Sequence, residues 1–306
     1  MILVFGTVCL DRIRRIPALP GPGTYVEIES ETTLLGGEAA NTAAALTSWG
    51  ADVRLCGNPL GEGPEADYLR ALLEQRSLVV EAAGEPPPRF RTPVCDIYVT
   101  PDGDRTMFGL GFSAMEPVFD PKLLPLIRGE WFTAEPNMGG VSRQAARAAL
   151  GAGMKVYLMD FIRDDDPVAP GSIWQSSTDW AGFRGDVVRN TEWVRRLVDR
   201  TGCFAILSDG PNGLVAGSPE LEVRAYPPFP SPPIVDTTGA GDMFRAAMLY
   251  GLSQDWPIGR SLAFAAASGS LSVRSLGATS LIASIDEIND LVSSHPGIAQ
   301  QYAEAV

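Results

Sequence analysis

Histidine occurs once in the 306 residues, at His295, and lysine only twice, at Lys122 and Lys155. One imidazole in a Ser-Ser-His-Pro-Gly stretch, with no cluster of cysteines, argues against a typical zinc site. A Ser-His-Asp triad would have to rest on that same residue. The four cysteines, Cys9, Cys56, Cys95 and Cys203, form no C-x-x-C pair and lie in apolar or strand-like stretches, which reads as buried free thiols in a reducing compartment. The scarcity of lysine removes the P-loop, because there is no G-x-x-x-x-G-K-[ST] and neither lysine is placed to complete one. A G-x-G-x-x-G after an early strand is missing too, which sets aside a dinucleotide-dependent oxidoreductase. No apolar run approaches the ~20 residues that span a bilayer, so no membrane partner is expected. The stretch Met1-Ile2-Leu3-Val4-Phe5-Gly6 has no basic n-region and reads as a first strand, not a signal peptide; the expectation is a cytoplasmic protein. Basic side chains number 24 against 37 acidic ones, a net charge of −13. That average field repels a polyanion, so nucleic acid is not an expected partner.

What is present is an ordinary globular composition, 45% hydrophobic and 20% charged, long enough to bury a large core without staples. Ile2 to Phe5 is a continuous apolar strand of the kind covered on both faces. Alanines from Ala39 to Ala44 follow Gly36-Gly37 at helical spacing and end near Trp49-Gly50, and Val53 to Cys56 is a second core strand. The pattern then predicts helices over 65–76, 142–150, 191–200, 240–251, 257–273 and 284–294, and strands over 155–160, 186–189 and 204–208. Residues 163–185, with Trp174 and Trp180, read as a long loop. Strands alternating with helices predict a doubly wound, mostly parallel central sheet with helices on both faces. Two β-rich excursions, about 12–35 and 89–112, do not fit that layer. The second forms a hairpin around Pro101-Asp102-Gly103-Asp104. Together they predict a small separate sheet over the strand ends, within one domain covering 1–306.

The strongest chemical signal is Asp236-Thr237-Thr238-Gly239-Ala240-Gly241-Asp242-Met243-Phe244, between an apolar strand end and an apolar helix start. The amides of Gly239, Ala240 and Gly241 would be unpaired donors of a helix N-terminus aimed at an anion. Asp242 beside such an anion hole makes sense as a base that takes a proton from an attacking hydroxyl, with Asp236 serving a nearby cation. A Gly-rich turn with an acid in the first helical turn is the bland alternative. Asn41, inside an alanine-rich helix where an amide is not favoured, also points to a ligand, and Gly37 beside it permits close backbone approach. Arg105 is either a hairpin charge or a substrate contact.

The run 236–244 resembles the C-terminal signature of the PfkB, or ribokinase-like, family of sugar and nucleoside kinases. Gly36-Gly37-Glu38-Ala39-Ala40-Asn41, continuing through Trp49-Gly50-Ala51 to Gly57, is similar to its N-terminal signature, and Gly6-Thr7-Val8-Cys9-Leu10-Asp11 to its opening strand. The resemblance implies a ribokinase-like fold with a β-sheet lid made by the two excursions. It also implies transfer of the γ-phosphoryl group of ATP, with Mg²⁺, to a hydroxyl of a small sugar or sugar derivative. Asp242 would be the base and 239–241 the anion hole. Asp11, Gly36, Gly37 and Asn41, with Arg105, would hold substrate. Ser208, Gly210 and Gly213 stand where the family has its nucleotide loop. Asp236 falls near a monovalent-cation (K⁺) site, with the backbone of Gly277-Ala278. The family's Asn-x-x-Glu motif for Mg²⁺ is represented by Arg189-Asn190-Thr191-Glu192, with Glu192 in place and Asn190 one residue out of step. A nucleoside kinase on the same scaffold and a catalytically weak metabolite-binding paralogue are the rival readings. A homodimer through the lid would cover its edges.

Overall fold

The structure, a computed structural model, describes residues 1–85, 90–112 and 118–304. Pro86, Pro87, Pro88 and Arg89, where the sequence places the start of the second excursion, lie outside them.

The chain opens with β1 (Ile2–Gly6), turns at Thr7 and Val8 into β2 (Cys9–Arg15), and returns as β3 (Ser30–Gly36), which leads into α1 (Glu38–Ser48). Next come β4 (Val53–Gly57), α2 (Pro64–Glu74), β5 (Val80–Ala82), β6 (Gly84–Glu85), β7 (Val94–Val99), β8 (Arg105–Leu110) and β9 (Val118–Phe119). β10 (Trp131–Ala134), α3 (Gly139–Gly151), β11 (Lys155–Met159), β12 (Ile173–Ser177), α4 (Val187–Thr201) and β13 (Phe204–Ser208) resume the alternation. β14 (Leu214–Gly217) and β15 (Arg224–Tyr226) precede α5 (Ala240–Ser253), α6 (Ile258–Ser272), α7 (Ile285–Ser293) and α8 (Pro296–Ala303).

Nine strands form the main sheet in the order β15-β14-β13-β12-β11-β10-β1-β4-β5. Every pairing from β5 to β13 is parallel, and the pairings of β14 with β13 and with β15, at one edge, are antiparallel. The expected doubly wound sheet is therefore present. β1 shows why its sequence is uniformly apolar. Ile2 and Val4 join the core beneath α1, α2, α5 and α6, while Leu3 and Phe5 join the opposite core beneath α3 and α4. A strand with two dry faces cannot alternate apolar with polar.

A separate four-stranded sheet has the order β3-β2-β7-β8. Its underside carries a small core of Ile13, Ile97 and Val99 with Leu34 and Leu276. It begins earlier than the sequence suggests, at Cys9, and residues 25–29 stay outside any strand.

Three local expectations are corrected. Residues 187–189 are the first turn of α4 and not a strand; Asp186 caps that helix by accepting from the Arg189 amide at 3.0 Å, the usual satisfaction of an orphan donor. Residues 163–185 contain β12, a central strand, and Trp174 is core. Asp11 lies on β2 in the small sheet and not at the end of the opening strand.

Candidate active site

The order of the main sheet reverses at β1, which has β4 and β10 as its neighbours. Ligands in such sheets bind beyond the carboxyl ends of the strands at that switch point. Polar residues stand just beyond those ends: Thr7 after β1, Asn58 after β4, Glu135 after β10, Asp160 after β11 and Asp209 after β13.

α5 begins above them. Gly239, its N-cap, has φ of 77°, and a Cβ there would strike the Ala278 side chain, so both conformation and space require glycine. The Ala240 amide turns back to the Thr237 carbonyl at 3.4 Å. Of the amides the sequence points to, that of Gly241 therefore lies on the open first turn of the helix, along with that of Asp242. Gln175 of β12 supports this turn from below, donating to the Gly241 carbonyl at 3.0 Å and accepting from the Tyr157 hydroxyl at 2.7 Å.

Asp242 is 4% exposed. Its Oδ2 accepts from Asn41 Nδ2 at 2.9 Å, and its Oδ1 from Arg245 Nη2 at 3.3 Å. Burial pushes its carboxyl up to about 7, against the pull of Arg245 and Asn41, and the charges of Asp160 and Glu135 add to the rise. That is the range in which a carboxylate exchanges protons at neutral pH.

Asp11 is also pushed up to about 7, mainly by burial, with Asp242 and Asp236 contributing. Its carboxylate lies directly over Gly36, where any Cβ would overlap it. Gly37 has φ of 93° and touches the Thr7 carbonyl, again leaving no room for a side chain. Asn41 thus joins Asp242 directly, and Asp11 is within electrostatic reach of it. The Asn41 Oδ1, Thr7 Oγ1, Glu38 Oε2 and Arg245 Nη1 are buried without hydrogen-bond partners among the described residues. Such atoms are rare in folded proteins, and Asn41, Glu38 and Arg245 are linked through Asp242 and the Glu38 carbonyl.

Arg105, at the start of β8, donates to the Thr237 hydroxyl at 2.5 Å and lies 4.0 Å from Asp179. The Thr237 hydroxyl reaches the Gly103 carbonyl at 3.5 Å, so the hairpin tip of the small sheet rests on the loop that carries Asp236.

Ser208 ends β13, and Gly210 (φ 51°) and Gly213 (φ 90°) shape the turn after it; a Cβ on Gly213 would meet the Tyr226 carbonyl. Asp209 within this turn accepts from Thr178 Oγ1 at 2.6 Å and from the Gly185 amide at 2.8 Å. Its carboxylate therefore fastens the 178–185 segment to the turn.

The side chains assigned to cations make protein contacts of their own. Asp236 is fully buried, but its Oδ1 accepts from both the amide and hydroxyl of Thr238, at 2.9 and 2.7 Å, and its Oδ2 from the Gly277 amide at 2.7 Å. It is a backbone clamp between two loops, as expected of a buried carboxylate with three donors. Glu192 is exposed on α4 and lies 3.8 Å from Arg196. Asn190 spends its amide on both backbone groups of Phe183, at 2.8 Å each, so a one-residue shift does not free it. Arg189 stacks on the Phe183 ring at 3.5 Å. Among the described residues no group of three or more His, Cys, Asp or Glu side chains is arranged for a metal.

Several residues of the site escape the sequence. Glu135 is fully buried and accepts from the Thr7 amide and, at 2.6 Å, from the Asn137 amide. Asp160 has φ of 58°, accepts from Ser176 Oγ at 2.5 Å, and is pushed up to about 6, chiefly by burial. Arg245 is three residues after Asp242 on one helix, which puts both on the same face; that spacing was the available signal.

The model of the family described as pfkB family carbohydrate kinase matches residues 1–119 and 186–285. The chain belongs to that family. An uncharacterized sugar kinase of Dictyostelium discoideum is 28% identical over 346 residues, covering 95% of this chain and 97% of the relative. A ribokinase of Arabidopsis thaliana, solved with ribose and ATP, has a TM-score of 0.71 at 20% identity, covering 95% of this chain and 97% of that one. A nucleoside kinase of Burkholderia thailandensis, solved with inosine, has a TM-score of 0.75 at 17% identity, with 97% of each chain covered. The fold of this pfkB kinase is ribokinase-like. As a member of an ATP-dependent kinase family it is a phosphotransferase acting on a hydroxyl group. Among the described residues no helix is long and apolar enough to cross a membrane.

Proposed function

We propose that this kinase transfers the γ-phosphoryl group of ATP to a hydroxyl of a small sugar or sugar derivative, with Asp242 as the base. The observation that carries the reading is Asp242 itself: buried, raised to about 7, and fixed at the open first turn of α5 by Asn41. In this reading Asp242 takes the hydroxyl proton as the oxygen attacks, and within the 239–241 turn the amide of Gly241, with that of Asp242, faces the phosphoryl oxygens, the Ala240 amide being turned to Thr237. Asp11, Asn41 Oδ1 and the backbone at Gly36 and Gly37 receive the other hydroxyls. Ser208, Gly210 and Gly213 border the nucleotide.

Mg²⁺, when bound with ATP, would neutralise charge on the phosphates, with phosphate oxygens and water as its main ligands; Glu192, exposed on α4, would be the side chain nearest that role in this reading. Three donors leave the Asp236 carboxylate about one further lone-pair site, on Oδ2, so a K⁺ beside Gly277-Ala278 stays part of this reading. The small sheet acts as a lid whose tip, through Arg105, reports closure to the Thr237 loop and excludes water. A second copy paired through the lid would cover the β8 edge, where Met107, Phe108 and Leu110 are 48%, 54% and 40% exposed. A cytoplasmic setting suits the four free thiols.

The test is ADP release from Mg-ATP across ribose, fructose, 2-keto-3-deoxygluconate, tagatose phosphate, adenosine, inosine and cytidine, with Asp242→Asn alongside. Turnover of a sugar is expected, and the variant should lose about 10²–10⁴-fold in kcat. Turnover confined to a nucleoside moves the assignment to a nucleoside kinase. Binding without turnover favours a metabolite-binding paralogue, and a variant that turns over normally removes Asp242 as the base.

A further inference from the structure

Arg245 is the unusual residue of this site. Its side chain is 0% exposed, although an arginine is almost never fully buried unless paired. Nε donates to Thr42 Oγ1 at 2.9 Å, and Nη2 to the Glu38 carbonyl at 2.6 Å and to Asp242 Oδ1 at 3.3 Å. Nη1 has no hydrogen-bond partner among the described residues. Packing does not call for the residue. Helix α1 meets this region with Ala39, Ala40, Ala43 and Ala44, all buried in the same core as Met243, Ala246 and Ala247 of α5, and an apolar side chain would join two such helices at least as well as a buried ion does.

The charges explain it better. Carboxylates face Asp242 from every side: Glu38 on α1, Asp11 on β2, Glu135 beyond β10 and Asp160 beyond β11. Asn41 is the neutral donor among them. Arg245 is the cation that acts on Asp242, Asp160 and Glu38 together. It also works with Asn41 as a pair of fingers. One holds Oδ1 and the other Oδ2, which fixes the plane of the carboxylate and leaves lone pairs on each oxygen for an incoming hydroxyl.

We propose that Arg245 is the positioning residue of the base, holding the Asp242 carboxylate ionised and oriented in a pocket whose burial and crowded acids would otherwise protonate it. The inference rests on the reading of Asp242 as the base for its catalytic meaning, but its physical content is a property of the carboxylate and can be measured without substrate.

The experiment is a pH titration of the full-length protein with carboxyl-¹³C aspartate labelling, the Asp242 resonance being assigned by its loss in Asp242→Asn. In Arg245→Met, similar in length and apolar, the Asp242 midpoint should rise by about one pH unit or more, a tenfold or larger change in the protonated fraction at a given pH. Arg245→Lys should undo part of that rise, since a point charge replaces the fork without its geometry. An unchanged midpoint in folded Arg245→Met would overturn the proposal, because a purely structural arginine would alter stability and not this titration. Should Arg245→Met fail to fold, Thr42→Val, which removes the Nε acceptor, carries the test: a smaller rise supports the proposal and none overturns it. The two readings fail separately. Normal turnover by Asp242→Asn removes the base, whereas a silent titration in the arginine variants removes only the role given to Arg245.

Discussion

Asp11 and Asp242 show what a site of this kind does to single carboxyl groups. Both are raised to about 7 from an ordinary value near 3.8, first of all by burial. A carboxyl whose folded value is raised binds more protons in the folded than in the unfolded chain between those two pH values. Stability therefore falls as pH rises from about 4 to 7, and the deficit is complete above 7. Asp11→Asn should accordingly stabilise the ligand-free protein at pH 8 by of the order of 2 kcal/mol, because each pH unit between the folded and unfolded midpoints is worth at most about 1.4 kcal/mol. At pH 4 the substitution should have little effect. Thermal melts at the two pH values check this, and an Asn variant that melts lower at pH 8 would contradict the burial argument. Turnover should show the complementary dependence, rising with pH through about 7 as Asp242 ionises. The residues that gave the site away in the sequence were those with no good structural reason to be there, such as Asn41 in a run of alanines. Glu135 and Asp160 gave no such signal, because a single acid after a short strand is common and only the fold shows that Glu135 is fully buried and Asp160 half-buried against Ser176.

At the scale of the element, β12 is the instructive case. Its sequence, Ile-Trp-Gln-Ser-Ser, carries two apolar residues and then three polar ones, although four of its five positions are buried. Two of the polar positions make contacts to site residues: Gln175 bridges the Tyr157 hydroxyl and the Gly241 carbonyl, and Ser176, on the other face at the strand end, bonds Asp160. A strand that spends two of its five side chains on a functional network loses the apolar pattern by which strands are recognised. Gln175→Leu would keep the volume and remove the support beneath the α5 turn. We expect about a tenfold loss in kcat, since one buried hydrogen bond of roughly 1–1.5 kcal/mol positions that turn. ATP binding should change little. An unaltered kcat would mean that α5 holds its N-terminus by itself. The first turn of α4 was hidden for the opposite reason: Val187 and Val188 look like strand residues but are exposed, and the capping acid before them decides the structure.

At the scale of the molecule, the small sheet and the main sheet meet at two loops. Asp236 ties the 236–238 segment to Gly277, and the underside of the small sheet rests on Leu276 and Gly277 through Ile13 and Leu34. Arg105 makes a further contact, to Thr237. If that contact couples lid position to the reaction, Arg105→Ala should lower kcat/KM for the acceptor by about tenfold or more while the melting temperature stays near that of the parent. Stopped-flow turnover beside a thermal melt separates the two effects, and a variant altered only in stability would reduce Arg105 to a hairpin charge.

The sequence by itself determined the doubly wound core, the small additional sheet and the motif that places Asp242 at a helix start, because apolar periodicity and glycines at forced conformations are local properties of the chain. It could not determine which carboxylates share a pocket. Tertiary structure decided that Asn41, 201 residues before Asp242, donates to it, and that Asp236 closes a loop. It also decided that Glu192 faces solvent and that Arg245 is buried beside the base. Burial and charge proximity depend on residues brought together from separate strands and helices, and these set the protonation of the site.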